Sequence, residues 1–389
     1  MRKIKVLRII ARLNIGGPAI HTILLTQGLN PERYSTVLVK GCEDISEGNM
    51  LGLAKEKNVS PIFIESLQRE IKFSRDWNAF WKLYSLIKKE KPDIVHTHTA
   101  KAGALGRLAA KIAGVPIIIH TFHGNTFQGY FSSARAKKFL MIEKFLSSFT
   151  DKIITVSKRG MEDILTYKIA KKEKITHIPL GLELTKFFSA DKFKGELRKE
   201  FGFTDQDLLI GIVARLVPIK GHTVFLQAAE RVLQKNSDAK FLVVGDGELR
   251  KELEALTKKL GIEKNVFWTG FRSDLERIYA DLDLVVLSSL NEGLPVAIIE
   301  AMSASRPVVS TDVGGVRELV QDNKNGIVVR SEDPQALADA IIDITSDRTK
   351  LKEMGIRAKD LAYPRYDIKR LIGDIENLYE ELIKKKKIN

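Results

Sequence analysis

The chain has 389 residues, more than one hydrophobic core usually supports, so two domains of ordinary size are expected. Hydrophobic residues make up 44% and charged residues 29%, which excludes a disordered or fibrous chain, and the single cysteine, Cys42, excludes an internal disulfide framework and a cysteine-rich metal site. A net charge of +14 suits a dense negative partner, whether nucleic acid, an anionic membrane face or a phosphorylated substrate, and does not choose among them.

The run Val6 to Ala11 is interrupted by Arg8, Arg12 follows it, and no small-residue cleavage site comes after, so it reads as a buried first strand over Lys5 to Ile10 and not as a signal peptide. No stretch approaches the roughly 20 apolar residues needed to cross a bilayer. With the cysteine usage, this points to the cytoplasm. After the first strand, the loop Arg12 to Pro18 holds Gly16 and Gly17, which let backbone N–H groups approach an anion, and Pro18 suits the first position of a helix. The loop is either a diphosphate site or a tight turn, and it is not the GxGxxG fingerprint of dinucleotide enzymes.

Further strands are predicted at Thr36 to Val39, Pro61 to Ile64, Ile94 to His96, Ile117 to Thr121, Lys152 to Val156 and Ile175 to Ile178. A helical run follows most of them, the βαβ pattern of a parallel sheet, which excludes all-α and all-β folds. Four of the seven histidines, His96, His98, His120 and His123, stand at the ends of two of these strands. Burial against backbone partners explains one or two; for the rest, substrate contact is favoured over a metal, because no carboxylate or thiolate stands nearby. The predicted helix Ser133 to Ser147 sets Arg135, Lys137, Lys138 and Lys144 beside Phe139, Leu140 and Phe145, a pattern suited to an anionic membrane.

The stretch Pro179 to Asp207 holds Pro179, Gly181, a charged helical run near Lys192 to Glu200 and then Gly202, and residues 186–206 within it are read as a linker. A second parallel series then opens at Leu208 to Val213 and continues at Phe241 to Val244, Val266 to Trp268, Leu284 to Leu287, Pro307 to Ser310 and Gly326 to Val329. Parallel sheets bind ligands beyond the carboxyl ends of their strands. There Arg215 and Lys220 put two cations on one short loop, a pattern suited to phosphate. The stretch Asn291 to Ala301 puts Glu292 on a loop and Glu300 inside the following helix, which Pro295 is placed to start at its first position. One ligand could touch carboxylate, helix N–H groups and carboxylate in turn. Asp281-Leu282-Asp283 has a metal-binding aspartate spacing but leads straight into a strand, so it reads as a turn. The last helical run, Asp367 to Lys386, repeats apolar residues at helical spacing and needs a surface to pack on.

Together these residues resemble glycosyltransferase family 4, the retaining GT-B group, along nearly the whole chain. Glu292 and Glu300 match the family's E-x7-E element, Arg215 and Lys220 its paired basic positions, and Gly16, Gly17 and His123 its first-domain positions near the donor phosphate and reacting sugar. The resemblance implies an α/β fold of two Rossmann-like domains facing each other across a cleft: 1–185 on the acceptor side, 207–363 on the nucleotide-sugar side, and 364–389 as a helix returning to the first domain. It implies catalytic roles for His123, Arg215, Lys220 and Glu292. Donor contacts would come from Gly16, Gly17, Arg215, Lys220, Gly270, Phe271, Glu292, Gly293, Leu294, Pro295 and Glu300, with Glu300 on the ribose hydroxyls. His96, His98 and Lys101 would form the acceptor side. No metal or other cofactor is expected beyond a nucleotide-sugar co-substrate, with UDP favoured and a hexose or N-acetylhexosamine as the sugar. The expected partners are that donor, a glycan or lipid-linked acceptor and an anionic inner membrane face. The glycine loop departs from many family members by continuing Pro18-Ala19-Ile20-His21 where they carry an acidic or basic residue, so the resemblance defines the donor more closely than the acceptor. A nucleotide-sugar epimerase of the same architecture is the nearest rival. A nucleic-acid-binding protein would also explain the charge, but no basic segment interleaved with aromatics supports it.

Overall fold

The computed structural model describes residues 2–43, 48–68, 70–124 and 133–388, the side chains of 133–136 excepted, so Arg135 of the expected basic helix lies outside the described residues. The chain divides into two compact units, Met1–Leu182 with Ile368–Asn389, and Glu183–Asp367.

The first unit runs β1 (Ile4–Ile10), α1 (Gly17–Gly28), β2 (Tyr34–Lys40), α2 (Leu51–Glu56), β3 (Ile62–Phe63), α3 (Phe73–Glu90) and β4 (Ile94–His98). It continues with α4 (Ala100–Ala113), β5 (Ile117–Phe122), α5 (Ser133–Phe149), β6 (Lys152–Thr155), α6 (Lys158–Thr166) and β7 (Ile175–His177). The seven strands form one parallel sheet in the order β3-β2-β1-β4-β5-β6-β7. Its central strands are buried on both faces, as continuous apolar runs such as Ile117-Ile118-Ile119 require. On one face α3 contributes Ala79, Phe80, Leu83 and Ile87, spaced on one helical stripe, and packs with α4 over Leu7, Ile9, Val95 and Ile118.

The opposite face is completed from the far end of the chain. Leu371, Ile375, Leu378, Tyr379 and Leu382 of the final helix, Ile368–Lys386, join Ile4, Val6, Ile94 and Ile119 in one core. A Cβ on Gly28, where α1 ends, would lie 2.2 Å from Ile372, so the two helices approach as closely as glycine allows.

The second unit opens with α7 (Thr185–Phe188) and α8 (Glu196–Phe201) before β8 (Leu209–Val213). Residues 186–206, expected as a linker, are therefore folded structure. The Asp281 carboxylate accepts from the backbone N–H groups of Gly195 (2.6 Å) and Arg198 (3.0 Å), and Asp283 accepts from the Arg198 guanidinium (3.1 Å) and Leu209 N (2.8 Å). Arg198 of this segment thus has specific partners 83 and 85 positions away, which composition could not show, and both aspartates of the D-x-D spacing serve that purpose. There follow α9 (His222–Leu233), β9 (Lys240–Val244), α10 (Arg250–Lys259), β10 (Val266–Gly270), α11 (Leu275–Asp281), β11 (Leu284–Leu287) and α12 (Val296–Ser303). Next come β12 (Val308–Thr311), α13 (Val316–Leu319), β13 (Gly326–Val329), α14 (Pro334–Thr345) and α15 (Arg348–Ala362), and the helix already described is α16. The six parallel strands lie in the order β10-β9-β8-β11-β12-β13. Among the described residues no helix is long and apolar enough to cross a membrane.

Candidate active site

In the second unit, strand order reverses at β8, which pairs with β9 on one side and β11 on the other. Loops leaving the carboxyl ends of two strands at such a reversal diverge and leave a crevice, the usual ligand site of a parallel sheet. Here those loops carry Lys220 and Glu292. Lys220 Nζ lies 2.6 Å from Glu292 Oε1, which also accepts a 2.7 Å hydrogen bond from Ser289 Oγ. The loops are tied at the backbone too: Leu290 N donates to Ile219 O (2.8 Å), and Ser288 Oγ donates to Gly221 O (2.9 Å).

Two glycines make this approach possible. Gly221 has φ +64°, and a Cβ there would meet the Ser288 carbonyl oxygen at 2.1 Å; Gly314 has φ +53°, and a Cβ would meet the Glu292 carbonyl oxygen at 1.9 Å. Any side chain at either position would push the Glu292 loop away. Gly293 is held in turn, its carbonyl accepting from Gly315 N at 2.8 Å. Arg215 is half-buried on the β8 exit, while Gly270 ends β10 with φ +70° and Phe271 beside it is 39% exposed.

Helix α12 begins at Val296, with Pro295 in the capping position at φ −71°, one residue earlier than expected. The leading N–H groups of α12 have no partners within the helix and carry its positive end. Leu294 is buried beneath the turn. Glu300 lies farther along the helix, 7% exposed, its Oε2 accepting from Tyr279 Oη at 3.1 Å. Burial raises its pKa to about 7, an effect that the Lys186 charge and the Tyr279 hydrogen bond only partly oppose. A carboxyl held there calls for further hydrogen-bond donors.

In the first unit the histidines divide into two sets. His96 is fully buried with both ring nitrogens engaged, Nδ1 with Tyr379 Oη and Nε2 with Thr121 Oγ1, each at 2.7 Å. It has no ring nitrogen left for an acceptor, which corrects its expected role. His120 is likewise a core group, 2.8 Å from Thr97 Oγ1. Lys101 is also committed, to the Asp76 carboxylate and the Glu70 carbonyl at the start of α3, because α4 begins directly beside that helix. It braces two helix starts instead of lining an acceptor wall.

The second set comprises His21, His98 and His123. His98 Nδ1 and His123 Nε2 are 3.0 Å apart, and His21, projected from α1, sets its ring edgewise to both. Among the described residues, His98 Nε2, His123 Nδ1 and both nitrogens of His21 are buried without a hydrogen-bond partner. Burial holds all three rings neutral, with His123 lowered to about 3, and the Arg8 charge adds to the effect on His21 and His98. Arg8 is itself fully buried, donating to Tyr379 Oη at 3.2 Å while Nε and Nη1 have no hydrogen-bond partner among the described residues. Thr99, which follows His98, adopts φ +64°, a strained backbone costing about 1–3 kcal/mol that such sites tolerate. Ring nitrogens of His21, His98 and His123 lie within 4.8 Å of one another and are able to hold a metal ion. The set contains no carboxylate to offset such a charge, and Arg8 already supplies a cation.

Comparison with known proteins places the chain in a family. Residues 15–186 match Glycosyltransferase Family 4, and residues 193–361 match Glycosyl transferases group 1. The chain is 32% identical over 336 residues to the UDP-Gal:alpha-D-GlcNAc-diphosphoundecaprenol alpha-1,3-galactosyltransferase of Escherichia coli, covering 84% of this chain and 85% of that protein. The chain belongs to glycosyltransferase family 4. This glycosyltransferase is also 28% identical over 328 residues to the capsular polysaccharide biosynthesis glycosyltransferase CapM of Staphylococcus aureus, covering 82% and 84% of the two chains. A crystal structure of HepE from Anabaena, in complex with UDP and glucose, superposes with a TM-score of 0.84 at 22% identity, covering 97% of this chain and 99% of that one. With its two parallel-sheet units, the glycosyltransferase therefore has the GT-B fold, and the epimerase reading gains no support.

Sequence reasoning missed three residues around the glycosyltransferase histidines. Arg8 was visible only as a cation interrupting an apolar strand, Tyr379 only as one apolar step of α16, and His21 only as a departure in the glycine loop. Tyr279, the partner of Glu300, gave no sign of its own.

Proposed function

We propose that this glycosyltransferase transfers a hexose or N-acetylhexosamine from a UDP-sugar, with retention and without a bound metal, to a lipid-linked or surface-polysaccharide glycan at an anionic membrane face. The observation that carries the donor assignment is the Lys220–Glu292 contact at the sheet's reversal, beside a buried Glu300 that needs donors. A ribose diol offers two hydroxyl donors to one carboxylate, and diphosphate suits Arg215, Lys220 and the open start of α12. The UDP choice also draws on the E. coli galactosyltransferase, named for a UDP donor and a diphosphoundecaprenol acceptor.

Charge developing on the departing diphosphate would be stabilised by Arg215 and Lys220, fixed cations taking the part a metal plays elsewhere. Glu292 Oε1 faces both an ammonium and a hydroxyl, which makes it a poor nucleophile. We therefore favour attack from the leaving-group side, the departing phosphate taking the acceptor's proton, over a glutamyl intermediate. His123, with a neutral ring and an Nδ1 that has no partner among the described residues, is suited to a sugar hydroxyl.

The test is calorimetric titration of UDP, GDP and ADP in the presence of a chelator, on the wild type and on Glu300→Ala and Lys220→Ala. Selective UDP binding that weakens in both variants supports the reading; absence of binding to any nucleotide, or binding only once metal is restored, would overturn it.

A further inference from the structure

Helices α3, α4 and α5 lie side by side on one face of the first sheet, α3 packed on α4 and α4 on α5. Their outer surface is unusually apolar. On α3, Phe73, Trp77 and Trp81 recur every fourth residue and form one exposed stripe, Phe73 at 84% exposure, with ring centroids 6.3 Å and 5.7 Å apart. Ile112 is exposed on α4, and Met141, Ile142 and Phe145 are exposed on α5. By contrast, Phe139 and Leu140 of α5, expected to face outward, are half-buried against Ile153 and Ile164. A depression of about 400 Å³ beside the α3 stripe is walled mainly by Ile62, Ile64, Trp81 and Leu86.

The charge on the same three helices is one-sided. Their only acidic residues are Asp76, Glu90 and Glu143, each in an ion pair, with Lys101, Lys5 and Arg107 respectively. Glu143 and Arg107 are fully buried. Lys82, Lys88 and Lys89 on α3, Lys111 on α4, and Lys137, Lys138 and Lys144 on α5 are exposed, with no ion pair among the described residues. A face with protruding tryptophan and phenylalanine, ringed by unopposed lysines, matches the interface of an anionic bilayer, where aromatic rings sit at headgroup depth and cations meet lipid phosphates. A second copy of the chain would set these lysines against each other, so self-association is disfavoured.

We infer that the outer face of α3, α4 and α5 is the surface by which this glycosyltransferase docks on anionic membranes, with the Phe73–Trp77–Trp81 stripe as its aromatic anchor. The inference deepens the membrane reading proposed above and rests on it. Helix α3 starts at the strand-exit end of the sheet, as does α4, which follows His98 directly. The aromatic anchor is therefore at the end of the unit that carries the histidines, where a lipid-linked acceptor would present its glycan.

The test is flotation with vesicles of phosphatidylcholine alone and with a quarter phosphatidylglycerol, following tryptophan emission in parallel. Three variants are compared: Phe73→Ser/Trp77→Ser, Lys137→Glu/Lys138→Glu/Lys144→Glu, and Lys384→Glu/Lys385→Glu/Lys387→Glu on the C-terminal tail. The wild type is expected to bind anionic vesicles with a blue-shifted emission, and each of the first two variants to lose about tenfold or more in binding. Both should keep wild-type transfer to a soluble acceptor, and the tail variant should bind as wild type. Binding lost only in the tail variant would overturn this face while leaving membrane association standing. Wild type that ignores anionic lipid would overturn both, and a dimer abolished by the aromatic variant would identify the face as a contact between copies.

Discussion

Binding of UDP should release protons through Glu300. In the free protein its pKa is raised to about 7 by burial, so about half of the molecules carry a protonated Glu300 at neutral pH. Two ribose hydroxyls donating to the carboxylate would favour its ionised form, drawing the pKa towards the ordinary 4.5 of glutamate. Because the proton must leave for the complex to form, affinity rises with pH through this range. A fall of that size predicts about 25-fold weaker binding at pH 5.5 than at pH 8, and release of about half a proton per UDP at pH 7. Calorimetry in buffers of different ionisation enthalpy reads that number directly. UDP titrates in the same region, so the informative quantity is the difference between wild type and Glu300→Gln. Equal proton release in the two proteins, or wild-type affinity in the variant, would refute the assignment of Glu300 to the nucleotide.

The same residue should oppose stability when ligand is absent. Its folded-state pKa is raised, so its contribution is favourable below about 4.5 and lost as pH rises through 7; Glu300→Gln should therefore raise stability at pH 8, by up to about 3 kcal/mol, and hardly at pH 4, read as a higher Tm at pH 8 alone in thermal melts at both values. Lys220→Ala should lower kcat by about 100- to 1000-fold in steady-state assays, since it removes a fixed cation and leaves the Glu292 carboxylate, 9% exposed, without its ion pair; a loss of only about tenfold would count against the diphosphate role. Buried neutral histidines act in the opposite pH sense to Glu300. The pKa values of His21, His96, His98, His120 and His123 are depressed by burial in the folded protein, so stability is present above about 6.5 and lost as pH falls below it. Circular dichroism during acid titration should show early unfolding, and His120→Gln should shift its midpoint downward. Removing residues 368–389 uncovers the apolar face that Leu371, Ile375, Leu378, Tyr379 and Leu382 cover, about 10 kcal/mol of burial, and expression of the truncated chain should yield insoluble protein.

Period and punctuation in the sequence were enough for the architecture. A triplet such as Ile117-Ile118-Ile119 can be satisfied only between two helical layers, and the recurrence of such runs with amphipathic segments between them implies parallel sheets. The local arrangement of Glu292, Gly293, Pro295 and Glu300 was equally legible, because they are close in sequence and their relation is set by one loop and one helix. Residues meeting from distant elements were not legible in this way. His96 and His98 are two positions apart on one strand, yet one is locked between Tyr379 and Thr121 while the other meets His123 and the ring of His21. Periodicity says that both point to the same face; what waits on that face depends on α1 and on a helix that returns from the end of the chain. The charged residues of 186–206 show the same limit, since a solvated linker and a segment tied by Asp281 and Asp283 have the same composition. Sequence by itself determined the strands, the helices and the local motif. Tertiary structure alone decided which buried polar groups have partners, because a hydrogen bond depends on a few tenths of an ångström between atoms that the chain may separate by hundreds of residues.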